Sequence, residues 1–235
     1  MKLTHGLAAV ALSLTAMAAQ AEITGTVAAT TDYKWRGISQ TSGDPAIQGS
    51  IDYAHDSGFY ASVWASNVDF GDCCDENAEV DLVIGYGGGE TITWDVGAVY
   101  YWYPGADDLD FPEIYAGVGY EWFSAKLWYS NDFGNYDESA FYLEGNGEWE
   151  LPKNFSLTAH LGYSDGDGIE AAYGQDNYFD WSVGVGYTLG NFDLGLAYVD
   201  GSDLETLDGT LPDDISNSEG TVVFTVSTAF PWSKE

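Results

Sequence analysis

About twelve short segments between Ile23 and Phe230 alternate apolar and polar residues with a period of two. Successive side chains on an extended strand point to opposite faces, so this period describes strands with one greasy face and one wet face. The last segment shows it most plainly. Val222, Phe224, Val226, Thr228 and Phe230 share one face, while Val223, Thr225, Ser227 and Ala229 form a smaller, more polar one. In the middle of the chain, Ile92, Trp94, Val96, Ala98, Tyr100 and Trp102 oppose Thr91, Thr93, Asp95 and Gly97.

Two segments are less regular, and one is expected to be long. Phe59 to Asn67 is ambiguous, because Tyr60 and Trp64 oppose Phe59, Ala61 and Val63. Ala140 to Glu150 carries the weakest pattern, with its Gly and Glu residues. The first segment is expected to run from Ile23 through Arg36, with Tyr33 and Trp35 on the apolar face and Asp32, Lys34 and Arg36 on the wet one.

Alternation alone does not say whether the apolar face meets lipid or a protein core. Three features favour lipid. The segments are about ten residues long, which suits a tilted crossing of the hydrocarbon layer. Tyr33, Trp35, Tyr100, Trp102, Tyr163 and Tyr187 sit near segment ends on the apolar face, as interfacial aromatic girdles do. The opposite face is rich in Gly, Ser, Thr and carboxylates, which suit a wet lumen and would fill a dry core badly. Lipid also offers no partner to an open strand edge, so the sheet must close. The expected fold is therefore all-β: one closed antiparallel transmembrane barrel of about twelve strands.

The connections support this independently. Short turns (55–58, 87–90, 121–122, 151–154, 189–191) alternate with longer acidic ones (37–45, 69–78, 104–112, 131–139, 165–177, 200–219). Outer-membrane barrels pair short periplasmic turns with long outer loops and have even strand counts. At the N-terminus, Lys2, the apolar run Leu7 to Ala18 and Ala19-Gln20-Ala21 read as a signal peptide, residues 1–21, with the barrel occupying 22–235. These readings place the chain in the outer membrane of a Gram-negative bacterium.

The sequence carries 38 acids against 6 Lys and Arg, a formal net charge of -32. Nucleic acid would be repelled. Cations would be favoured, as would divalent ions bridging acidic loops to lipopolysaccharide and membrane lipid. Cys73 and Cys74 are adjacent, and no further Cys or His nearby completes a metal or redox site.

With basic residues so scarce, Lys34, Arg36 and Lys126 become candidate pore-lining groups. Opposed to lumen acids such as Asp81 and Asp95 they would set a transverse field that filters ions; otherwise Lys34 and Arg36 would tie down the first loop by a salt bridge. Asp165-Gly166-Asp167-Gly168-Ile169-Glu170 resembles half of a calcium loop, which makes Asp165, Asp167 and Glu170 candidates for weak calcium binding; no other cofactor is expected. His160 is the single wet-face base, and no motif supplies a nucleophile for it, so an enzyme is not expected.

The stretch Thr31-Asp32-Tyr33-Lys34-Trp35-Arg36-Gly37-Ile38-Ser39-Gln40-Thr41 resembles the opening signature of the TorF family of porins. Pro45 to Gly49, Asp52 to His55, Gly58 to Tyr60 and Trp64 to Asn67 are similar to that family's next segments. The likeness covers about the first third of the chain. It implies an outer-membrane barrel and brings no catalytic or ligand residues. The tail departs from the usual aromatic last residue, since Pro231-Trp232-Ser233-Lys234-Glu235 follow Phe230. The combined expectation is passive diffusion of small hydrophilic solutes or ions, biased towards cations. The alternative is a non-conducting barrel, its lumen filled by Tyr101, Tyr103, Tyr115 and Trp128, that binds a ligand or divalent cation through acidic outer loops.

Overall fold

A computed structural model describes residues 22–70, 77–202 and 220–232. Leading segment 1–21, the Cys73–Cys74 pair and most of the last long loop, with Asp213 and Asp214, lie outside the described residues. The chain runs through β1 (Glu22–Thr30), the two short strands β2 (Lys34–Trp35) and β3 (Ile38–Ser39), β4 (Ala46–Ala54), β5 (Phe59–Asn67), β6 (Ala78–Gly88) and β7 (Ile92–Trp102). It continues through β8 (Phe111–Tyr120), β9 (Phe123–Ser130), β10 (Ala140–Leu151), β11 (Phe155–Asp165), the short helix α1 (Asp167–Tyr173), β12 (Asn177–Leu189), β13 (Phe192–Ser202) and β14 (Thr221–Phe230).

Twelve of these strands form one closed barrel in the ring order β1-β14-β13-β12-β11-β10-β9-β8-β7-β6-β5-β4. β1 closes it, pairing antiparallel with β14 on one side and β4 on the other. Closure leaves the ring no free edge, which is what a sheet facing hydrocarbon requires.

The period-two pattern maps onto inside and outside as expected. Ile51, Leu82, Ile84, Ile114, Leu143 and Leu196 are exposed on the outer face. An aromatic belt borders this aliphatic band at the short-turn end, including Tyr86, Trp94, Tyr120, Phe155, Phe192 and Phe230. A second belt at the long-loop end includes Tyr100, Trp102, Tyr129, Phe141, Phe179 and Tyr198. Neighbouring rings support one another along the belts, as in Tyr163–Phe179 with centroids 4.6 Å apart and Phe155–Tyr187 at 4.8 Å. An uninterrupted apolar surface flanked by aromatic belts is that of a transmembrane barrel.

The ambiguous segment resolves cleanly: in β5, Tyr60, Ser62 and Ser66 are buried inside, and Phe59 and Val63 are exposed outside. The weakly patterned segment forms the full strand β10, with Tyr142 and Glu144 inside and Phe141 and Leu143 outside.

The first segment departs from expectation. β1 stops at Thr30, and Asp32 to Thr41 fold inward instead of extending the wall. Tyr33 and Trp35 are therefore not girdle residues. Tyr33 is buried edge-on against Trp64, and Trp35 lies near Tyr101, Phe111 and Phe133. The alternation across 32–36 describes the small β2–β3 hairpin, whose period is the same as that of a wall strand.

A charge at the middle of the outer band tests the assignment. Ile84, 58% exposed midway along β6, replaced in Ile84→Lys is expected to cost roughly 2–4 kcal/mol in reversible unfolding from lipid vesicles. Ser182→Lys on the inner face should cost far less. Equal costs at the two positions would refute the orientation.

Candidate functional site

Strand register arranges the inner wall in rows that cross from β7 to β12. Of three adjacent rows, the one on the turn side is Thr93, Gly119, Ser124, Asn146, His160 and Ser182. Next comes a charged row of Asp95, Gly117, Lys126, Glu144, Gly162 and Asp180. Beyond it lies an aromatic row of Gly97, Tyr115, Trp128, Tyr142, Ser164 and Tyr178, which Gly85 and Tyr60 extend across β6 and β5.

Glycines create the room for this aromatic row. Tyr60 and Tyr115 lean over Gly85 and Gly97, where a Cβ would collide with their rings. Their hydroxyls meet at 2.6 Å, and Tyr60 also donates to Asp95 Oδ2 at 2.7 Å. Towards the turns the inner wall is polar and partly open: Thr24, Thr26, Ser50, Asp52, Thr158 and Ser182 are half-buried. Towards the loops it is packed.

The packing centres on the β2–β3 hairpin. Its turn places Arg36 (φ 50°) and Gly37 (φ 82°) in the left-handed region, the combination that two-residue hairpins favour. In the ring order β9 stands six places from β1, diametrically opposite. Arg36, the only arginine in the chain, reaches that far wall. Its Nη1 donates to Glu113 Oε1 at 3.0 Å and its Nη2 to Oε2 at 2.6 Å. The guanidinium carbon lies 4.3 Å from the ring centres of Trp35 and Tyr142 and 5.8 Å from that of Trp128. Tyr101 donates to the same Glu113 Oε2 at 2.9 Å.

A planar fork on a carboxylate between aromatic faces uses the three interactions that distinguish arginine from lysine. Burial disfavours the charge on Arg36, but Glu113 more than compensates, and the guanidinium pKa is held above its ordinary value. Gly37 comes against Asp180 on β12, where any Cβ would collide with the Asp180 side chain. The hairpin thus crosses the whole lumen and touches β8, β10 and β12.

Its base is held as well. Asp32 Oδ1 accepts from Ser39 Oγ at 2.6 Å, and Asp32 Oδ2 lies 3.5 Å from Lys34 Nζ. Beside it, burial and the carboxylates Glu79 and Asp81 push the hydroxyls of Tyr33 and Tyr103 well above their ordinary pKa. Among the described residues, buried Glu79 Oε2, Asp81 Oδ1 and Asp180 Oδ2 find no hydrogen-bond partner.

The sequence-derived candidates are therefore only partly paired as expected. Arg36 faces Glu113 rather than Asp81 or Asp95, because the hairpin carries it across the lumen and out of the wall. Lys34 takes Asp32 on its own loop. Lys126 meets one of the named acids, Asp95 at 3.7 Å, with Tyr115 and Trp128 at 4.4 and 5.1 Å. Asp81 is buried near Glu79. Glu113, Glu144 and Asp180 were hidden among many wet-face acids, and only the cross-strand register singles them out.

His160 is bound into the wall, its Nε2 2.8 Å from Asp180 Oδ1 and 2.9 Å from Tyr142 Oη, its Nδ1 2.7 Å from Asn146 Oδ1. The half calcium loop is not a loop: Asp167 and Glu170 lie in α1, and Asp165 Oδ2 accepts from Tyr163 at 2.5 Å. Among the described residues, no three His, Cys, Asp or Glu side chains gather closely enough to hold a metal.

Against the hairpin, loop and strand-end residues form an apolar cap. Phe133 and Ile169 are buried in it with Phe111 and Tyr178, and Phe70, Leu109 and Tyr173 pack against them. The sequence signal for this cap was present, in aromatic residues scattered through otherwise acidic loops.

Removing one partner of the cross-lumen pair should show its weight. Glu113→Ala leaves a guanidinium unpaired among aromatic rings and is expected to cost on the order of 3 kcal/mol in denaturant unfolding. The Arg36→Ala/Glu113→Ala double variant should cost clearly less than the sum of the singles. Strict additivity would mean that the pair is not coupled.

Among solved structures, the chain is similar to the NanC porin (TM-score 0.56, 8% identity, covering 89% of this chain and 100% of that one). It is also similar to the KdgM porin (0.53, 10%, 89% and 99%) and to the KdgM porin in complex with disordered oligogalacturonate (0.54, 11%, 91% and 100%). At such low identity these likenesses show a shared barrel fold. No curated protein matches. A family model does match, over residues 15–230, and the chain belongs to that family, described as bacterial protein of unknown function (Gcw_chp).

Proposed function

We propose that this protein is an outer-membrane channel of the porin type, biased towards cations and narrowed by its own first loop. The observation that carries the reading is the contrast between the two ends of the lumen. The turn end is a polar, partly open vestibule, and the loop end is crossed by a hairpin that, among the described residues, is anchored on the far wall by the Arg36 side chain. Such an anchor can be released without breaking any wall strand.

The cation bias follows from the lining. Asp95, Glu113, Glu144 and Asp180 line the crossing, Glu79 and Asp81 lie near the hairpin base, and Arg36 and Lys126 are the cations that face the wall acids. Several buried carboxylate oxygens retain acceptor capacity. A lumen of this kind attracts small cations and cationic solutes and resists anions. Oligogalacturonate, held in one KdgM structure, is a chain of sugar acids, so a similar barrel here would carry cargo of different charge. The TorF resemblance supports the same assignment. Export through the leading segment and divalent bridging from the acidic loops to lipopolysaccharide complete the proposal.

A second reading is favoured by the apolar cap of Phe133, Ile169 and Tyr173. If the cap stays closed, the barrel does not conduct and instead presents its acidic outer loops for binding.

Planar-bilayer conductance of the refolded protein separates the two. Wild type should give small steps with a cation-selective reversal potential in a salt gradient, and Arg36→Ala should raise the step size several-fold. Anion selectivity would refute the bias. Silence from inserted wild type and Arg36→Ala alike would refute the channel and leave the loop-binding reading.

A further inference from the structure

The groups that hold Arg36 belong to the barrel wall, whereas Arg36 belongs to a loop. Glu113 is on β8, Tyr101 on β7, Trp128 on β9 and Tyr142 on β10, adjacent strands fixed by continuous backbone pairing. Their arrangement does not need the hairpin. Glu113 is 1% exposed and already oriented by the Tyr101 hydroxyl, with the Tyr142 and Trp128 faces beside it. Without Arg36 this remains a carboxylate fork flanked by aromatic faces, a receptor shaped for a planar cation.

The loop side of the contact is a two-residue hairpin turn whose first position is Arg36, at φ 50°. Trp35, which covers one face of the guanidinium, would leave with the hairpin and open that face towards the lumen.

We infer that Glu113, Tyr101, Trp128 and Tyr142 form a binding site for guanidinium-bearing solutes, and that Arg36 occupies it as a built-in competitor. A guest guanidinium takes both Glu113 oxygens and stacks on Tyr142, and the hairpin gives way. An alkylammonium lacks the planar fork and binds less well; sodium lacks both fork and face. This inference rests on the reading of the lumen as a solute path and names the class of solute that the path selects.

The probe is guanidinium chloride in the millimolar range, titrated calorimetrically into refolded, detergent-solubilised full-length protein, with sodium chloride at equal ionic strength as reference. A competitor docked most of the time hides the site in proportion to its occupancy, so Arg36→Ala should bind guanidinium about tenfold or more tighter than wild type. The Arg36→Ala/Glu113→Gln variant should lose that binding. If Arg36→Ala does not refold, Arg36→Lys serves instead, keeping a cation on the hairpin without the fork; its affinity should exceed that of wild type. Equal affinity in wild type and either variant, or binding that survives Glu113→Gln, overturns the site. Saturable binding by a variant that never conducts supports the site while overturning the channel reading, and conduction without binding does the reverse.

Discussion

Hydrocarbon offers no partner to a backbone N–H or C=O, and the architecture depends on that constraint. The sheet must close, and here β1 closes it between β4 and β14. Once closed, the wall has a fixed register, and the register decides which inner side chains share a row. Asp95, Lys126, Glu144 and Asp180 come from strands far apart in sequence, yet pairing places them in one row with Gly117 and Gly162 between them. The wall-to-wall lumen interactions described above build on those rows.

Closure also sets the problem that the inside must solve. A ring of this size encloses more space than wall side chains alone fill at the loop end, and the chain fills it in two ways. Tyrosines lean over glycines, so Tyr60 and Tyr115 meet hydroxyl to hydroxyl above Gly85 and Gly97. The first loop then turns inward and crosses to the opposite wall. Burying the single arginine there would be costly without a carboxylate, and Glu113 answers that cost with two charge-assisted hydrogen bonds. The device is asymmetric: the acid is built into a strand of the barrel wall and the arginine is carried on a loop.

Legibility differed by level. The outer face was readable because lipid demands an apolar residue at every second position, as in Ile92 to Trp102. The alternation of short turns with long loops was readable for a similar reason, since each crossing must return. Tyr33 and Trp35 misled because a hairpin inside the lumen has the same period of two as a strand in the wall. Asp167 and Glu170 fall in α1, because alternating carboxylates and glycines suit a helix start as well as a cation loop. Glu113 was visible only as one wet-face acid among many, and nothing local marked it as the partner of a residue 77 positions away.

By itself, the sequence determined a transmembrane barrel of about twelve strands with an acidic inside, because those properties follow from pattern and composition summed along the chain. The tertiary structure decided that the first loop enters the lumen, that Arg36 meets Glu113, and that the loop end is packed while the turn end stays polar. Those choices depend on which side chains face one another across the ring, and that is a consequence of closure and register rather than of any one segment.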